Sequence, residues 1–174
     1  MLADGTTNFV HGFPFACVSI GLLYKKRPVI GVIYNPFLDQ LYSALDGHGA
    51  YLVHVRTGQR TKLPVYASAP LPSLSKAIVG IEWGSDRSGD AFKKKLSSFA
   101  KCVRNAPVSS SPSTQHPPTR LAGDSTETPG GKMVHALRSM GSAAMNYTQV
   151  AMGGLDLYWY VIALRIFFRA HSSL

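Results

Sequence analysis

Residues 17–45 read CVSIGLLYKKRPVIGVIYNPFLDQLYSAL, and their rhythm decides the fold class. Three short runs, 17–24, 28–36 and 40–45, are rich in β-branched and aromatic residues, and KKR at 25–27 and Phe37-Leu38-Asp39 separate them. Side chains of that kind suit a pleated, half-buried surface, so the stretch predicts an antiparallel meander. Lys25-Lys26-Arg27 then sits at a solvated hairpin tip. Just beyond, DGHGAYLV carries Gly47 and Gly49, which predict a tight turn into a further strand over 49–53. The partial G-x-G there is too short a pattern to imply a nucleotide.

Further downstream the texture alternates between strand and helix. AIVGIEW at 77–83 is an apolar run of strand length, followed by a loop over 84–89 and a helix over 90–103. Phe92, Leu96, Phe99 and Val103 recur at helical spacing and predict one buried face, with Lys93, Lys94 and Lys95 turned to water. Residues 105–131, NAPVSSSPSTQHPPTRLAGDSTETPGG, are crowded with Pro, Ser and Thr and read as a disordered insertion or linker. Regular structure is expected again with a strand ending near Leu137 and a helix over 142–152, started by Gly141-Ser142 and stopped by Gly153-Gly154. The chain thus divides into an antiparallel-sheet lobe at 1–76 and a second α/β lobe at 77–174.

Composition narrows the function classes. A hydrophobic share of 45% with 16% charged residues is globular. The apolar stretch 155–168 is too short, and too interrupted by Asp156 and Arg165, to span a bilayer. No charged-then-apolar leader opens the chain, which points to the cytoplasm and leaves the sequon Asn146-Tyr147-Thr148 irrelevant. Cys17 and Cys102 have no disulfide or zinc spacing and read as reduced structural thiols. The net charge of +9 suits an anionic partner. Nucleic acid is set aside, because the basic runs are separate and none is interleaved with aromatics, and no membrane partner is expected. There is no G-x-S-x-G elbow and no Walker loop, and the six histidines lack metal-ligand spacing.

The stretch before the meander carries the chemistry. DGTTNFVHGFPF at 4–15 sets a carboxylate, a glycine, two hydroxyls and an amide side by side. Such a loop admits two readings. Asp4 is either an N-cap whose short helix is closed by Thr side chains, or an oxygen ligand for a hard cation beside N–H groups that face an anion.

That loop, the meander, the turn GHGAYL and LRSMGSAAMNYTQVAMGGLDLYW at 137–159 together resemble the inositol monophosphatases, magnesium-dependent and lithium-sensitive sugar-phosphate phosphatases. The resemblance covers residues 4–104 and about 132–159. It implies a layered α/β sandwich, with an antiparallel sheet first and a mixed sheet second. Asp4 matches the second aspartate of the family's W-x-x-D-P-[IL]-D-G-T-T-N-F loop, a ligand of a Mg²⁺ cluster that activates water and clamps phosphate. Gly5 and Thr6 match the phosphate-holding positions, with the Thr6 hydroxyl orienting the attacking water. Gly141, Ser142 and Ala143 match the turn that meets the sugar hydroxyls. The implied ligands are Mg²⁺ and an inositol or sugar monophosphate.

Departures from the pattern shape the remaining expectations. Met1 stands where the family has its first loop aspartate, Leu2 and Ala3 replace the Pro and Ile or Leu, Tyr160 replaces a substrate-touching glutamate, and 161–174 lack the W-D-x-A-x-G segment. The fold is therefore expected to be incomplete at both ends, with metal ligands missing. Asp39, Asp46, Glu82 and Asp86 read as surface charges. Two functions stay open: a phosphatase of impaired activity, or an inactive fragment that self-associates or partners an intact homologue.

Overall fold

A computed structural model of the chain describes residues 2–66, 70–84, 88–105 and 131–159. Within them the first sheet runs in chain order: β1 (Leu2–Asp4), β2 (Cys17–Tyr24), β3 (Arg27–Asn35), β4 (Gln40–Leu45), β5 (Gly49–His54) and β6 (Gln59–Lys62), each antiparallel to the next. The expected meander is there to within a residue or two. Sequence reasoning missed β1 and β6, both short and poor in β-branched residues. Lys25 and Lys26 both take positive φ, 49° and 64°, which gives the two-residue hairpin tip the twist its flanking strands require. Strand β3 stops at Asn35, whose Oδ1 accepts from the N–H groups of Phe37 and Leu38 at 2.9 and 3.1 Å and so turns the chain.

Register decides the two faces of this sheet, because cross-strand partners point the same way. Ile33, Tyr42 and Leu52 are consecutive partners and are buried, at 3, 4 and 5% exposure. Beside them Gly21, Gly31, Ala44 and Ala50 form a row of small residues in the same register. Helix α3 (Ala143–Met152) packs on this inner face, where Tyr147, Thr148 and Ala151 line a small cavity with Ala44 and Ala50. The core joins Phe15, Cys17, Ile33, Tyr42 and Leu52 of the sheet region to Met145 and Met152 of the helix. Gly153 ends α3 at φ 86°, and a Cβ there would lie 2.4 Å from the Tyr66 carbonyl oxygen.

The second sheet has β7 (Ile78–Ile81) between β8 (Ala136–Arg138) and β9 (Leu157–Trp159). Its described strands are all parallel, where a mixed sheet was expected. The apolar stretch from 155 contributes β9, and the rest of it, from Tyr160 onward, lies outside the described residues.

Helix α2 (Gly89–Val103) forms where expected but turns a different face inward. Leu96 and Val103 are both 48% exposed, whereas Lys95 is buried and its Nζ donates to the Trp83 carbonyl at 2.8 Å. Phe99, four residues on, meets the Trp83 ring at 5.3 Å. A lysine stem is apolar enough to pack when its ammonium finds an acceptor, and a residue-type periodicity does not anticipate that. The insertion at 105–131 lies outside the described residues except for its ends, where the Gly131 N–H donates to the Asn105 carbonyl at 2.7 Å.

Candidate active site

The strand β1 aims Asp4 inward. Asp4 is the register partner of Cys17, which lies in the core, so the carboxylate points toward α3. Its Oδ2 accepts from the Ser142 hydroxyl at 2.6 Å and from the Ala144 amide at 2.8 Å. Ser142 is the N-cap of α3, its Oγ accepting from the Met145 N–H at 3.3 Å. A carboxylate here satisfies an amide of the first turn and complements the positive end of the helix. Asp4 therefore does act as a helix cap, but for a helix 140 residues downstream.

The local helix after Asp4 is capped differently. Gly5 is the N-cap of α1 (Thr6–Val10), at φ 79° and with no side-chain capping bond. A Cβ on Gly5 would sit 2.7 Å from the Phe15 carbonyl oxygen and 3.2 Å from Ser142 Cβ, so both conformation and space require glycine. Thr6 and Thr7 are exposed on the first turn, where the N–H groups have no intrahelical acceptor.

Asn8 ties the loop to the turn before α3. Its Nδ2 donates to the carbonyls of Phe15 and Met140, at 2.8 and 2.7 Å. Gly141, at φ 79°, lies so close that a Cβ would meet Asn8 Oδ1 at 2.8 Å. Asp4, Gly5 and Ser142 are thus brought together, with Gly141 at the rim and Ala143 half-buried on the first turn of α3. Thr6 lies on the solvent side of the same loop.

Beside them lies a carboxylate that sequence reasoning placed at the surface. Glu82 Oε1 accepts from the Met140 amide at 2.9 Å, the Gly141 amide at 2.8 Å and Asn146 Nδ2 at 2.7 Å, and Oε2 accepts from the Ser139 hydroxyl at 3.2 Å. The signal available in the sequence is its place directly after the apolar run of β7, since the carboxyl ends of parallel strands are where α/β sheets gather ligands. Asp39 is likewise engaged, accepting from the Arg56 amide at 3.0 Å. Asp46 is exposed as expected, and Asp86 lies outside the described residues.

Cys17 completes the buried wall of the site. Burial, and to a smaller degree the charge of Asp4, pushes its thiol up to about 11, while the contact with Ser142 Oγ at 4.0 Å works the other way. It is a neutral packing group at ordinary pH. Among the described residues no three His, Cys, Asp or Glu side chains are grouped to hold a metal ion, and no helix is long and apolar enough to cross a membrane.

Comparison with known proteins connects this geometry to a family. Residues 3–164 match the family model described as the inositol monophosphatase family. The chain is 36% identical over 159 residues to inositol monophosphatase 2 of Saccharomyces cerevisiae, an alignment that covers 90% of this chain and 44% of the yeast protein. Its fold is similar to that of SuhB from Mycobacterium tuberculosis, with a TM-score of 0.63 and 28% identity over 90% of this chain and 49% of that one. It is also similar to SaIMPase-II with inositol monophosphate bound, with a TM-score of 0.53 and 25% identity over 90% of this chain and 46% of the other. The chain thus spans under half the length of the curated relatives it matches, and within that span, by sequence and by fold, it belongs to the inositol monophosphatase family.

Proposed function

We propose that this chain carries the phosphate-facing and sugar-facing parts of a phosphate-monoester hydrolase site, with an inositol or sugar monophosphate as substrate. One observation supports this above others: Asp4 of the DGTTNF loop is bonded to Ser142 and Ala144. That contact joins the segment expected to hold metal and phosphate to the segment expected to meet the sugar. In this reading the amides of Gly5 and Thr6 face the phosphate, the Thr6 hydroxyl orients the attacking water, and the turn Gly141-Ser142-Ala143 meets the sugar hydroxyls.

The donor set fits a single Mg²⁺ shared with the substrate phosphate. Both hydrogen bonds to Asp4 fall on Oδ2, so Oδ1 is the oxygen it offers to a cation. A Mg²⁺ bound there supplies charge neutralisation to the phosphoryl oxygens and a more acidic water. A clamp of several metals needs several carboxylates, and among the described residues no three His, Cys, Asp or Glu side chains are grouped to hold one. Hydrolysis by this chain alone is therefore slow. The test is phosphate release from inositol monophosphate with and without Mg²⁺, beside calorimetric titration of the Mg²⁺–phosphate pair. Weak binding lost in Asp4→Asn, with negligible turnover, is the expected result. Robust Mg²⁺-dependent turnover would overturn the slow-hydrolysis reading.

A second reading, an inactive partner of an intact homologue, draws on the outer face of the first sheet, where Ile20, Leu22, Ile30 and Leu45 are 41–54% exposed. Co-purification of tagged chain with a full-length homologue, and its loss on placing Lys at Ile20 and Leu22, separates the two.

A further inference from the structure

Glu82 touches none of the residues assigned to phosphate or metal, yet it binds the backbone that leads into the turn assigned to the sugar. Its Oε1 gathers the amides of Met140 and Gly141 and the Asn146 side chain, three donors within 2.9 Å. From the other side Asn8 Nδ2 takes the Met140 carbonyl at 2.7 Å. The peptide groups around Met140 are thereby held at both their N–H and C=O ends. Directly after Gly141 comes Ser142, which bonds Asp4, and two residues further on is Ala144, whose amide bonds the same Asp4 oxygen. Gly141 has φ 79° and no side chain to restrict it, so its conformation depends on these outside bonds.

Asn146 shows how firmly the carboxylate is built in. It is fully buried and turns its Nδ2 to Glu82, leaving its Oδ1 without a partner among the described residues. A carboxylate oxygen only accepts, so the amide must present its N–H to Glu82 and turn its own oxygen away.

We propose that Glu82 is the positioning residue of this site. It fixes the Met140–Gly141 backbone in the conformation that delivers the Ser142 hydroxyl and the Ala144 amide to Asp4, so that Asp4 Oδ1 is aimed by a carboxylate it never contacts. This deepens the proposed function and rests on it for its consequence in binding, though not for its structural content. Geometry sets the role, and the negative charge does not. Glutamine keeps an oxygen for all three N–H donors, and the Ser139 hydroxyl can rotate to accept from the new amide. Aspartate keeps the charge but is one methylene too short to hold them.

The experiment compares the full chain with Glu82→Gln, Glu82→Asp and Glu82→Ala by amide hydrogen exchange and by titration with Mg²⁺ and inorganic phosphate. The decisive amide is Ala144, which bonds Asp4 and makes no bond to Glu82. Expected is exchange at Ala144 at least about tenfold faster in Glu82→Asp and Glu82→Ala, as at Met140 and Gly141, with Glu82→Gln restoring all three. Phosphate affinity follows the same order, falling about tenfold or more without rescue in Ala and Asp. If Ala144 keeps its protection while Met140 and Gly141 lose theirs, the residue is merely structural and the proposal fails. A Gln variant as impaired as Ala also overturns it. Should Glu82→Ala not fold, the Gln and Asp pair decides alone. A wild-type chain that binds no phosphate with Mg²⁺ sinks the functional reading, while the exchange data still judge the positioning role.

Discussion

The two faces of the six-stranded sheet are both apolar, but they are built differently. On the outer face Ile20, Leu22, Ile30 and Leu45 are large and exposed by 41–54%. On the inner face the large residues Ile33, Tyr42 and Leu52 sit beside small ones, and α3 lies there, with Tyr147, Thr148 and Ala151 lining a cavity with Ala44 and Ala50. A helix approaches a sheet closely only where some side chains are small, so the smaller residues mark the covered face better than hydrophobicity does. The candidate site belongs to the covered face, because α3 reaches Asp4 from that side.

The largest test of this contrast is the deletion of packing under the helix. Met145 is fully buried, and its sulfur lies 3.8 Å from Asn35 Nδ2. Met145→Ala is expected to cost about 2–5 kcal/mol in urea unfolding. A loss under about 1 kcal/mol would mean that α3 contributes little to the inner face. Ser142→Ala comes next, since it removes the α3 cap and one of the two donors to Asp4. An expected loss of about 1–2 kcal/mol is read from the same unfolding curves. It should be accompanied by faster exchange at Met145 N–H.

On the outer face the expected stability effect is smaller still. Placing Lys at both Ile20 and Leu22 should change the unfolding free energy by no more than about 0.5 kcal/mol per site. If the exposed patch drives association, the apparent mass measured by light scattering after size exclusion exceeds that of a single chain and falls toward it in the double variant. A strongly destabilised double variant would show that this face is covered after all.

The smallest effect concerns the thiols. Cys17, on the inner face with its thiol pushed up to about 11, should be alkylated after Cys102, which is less buried and also raised by burial. The sign of the stability effect follows from linkage. The folded thiol holds its proton above the ordinary value of 9.0, so the unfolded chain ionises first, and the contribution of Cys17 is complete below pH 9 and declines toward pH 11. Cys17→Ala should flatten that decline, as measured by melting temperature between pH 8.5 and 10.5.

Much of this was legible along the chain. Residues 17–24 and 40–45 form strands at the bounds their composition implied, and the 49–53 and 142–152 segments differ by one residue at an end. Each of these signals is local: β-branched runs, a glycine at positive φ, a serine before a helix. Lys95 and Glu82 were misread for one shared reason. A charged side chain is assigned to solvent unless something else supplies its partners, and those partners, the Trp83 carbonyl and the amides of Met140 and Gly141, are backbone groups invisible to residue type.

The sequence by itself determined the central strands of the meander, their order along the chain, and the resemblance that placed Asp4 in a phosphatase loop; that only glycine fits at positions 5 and 141 came from their positive φ and their close neighbours in the fold. Only the tertiary structure decided which face of the sheet is covered and what Asp4 does with its carboxylate. A two-residue alternation fixes which side chains share a face but not which face meets the helix. The bond from Ser142 to Asp4 spans 138 residues, and no local pattern carries a contact that only the packed chain brings into reach.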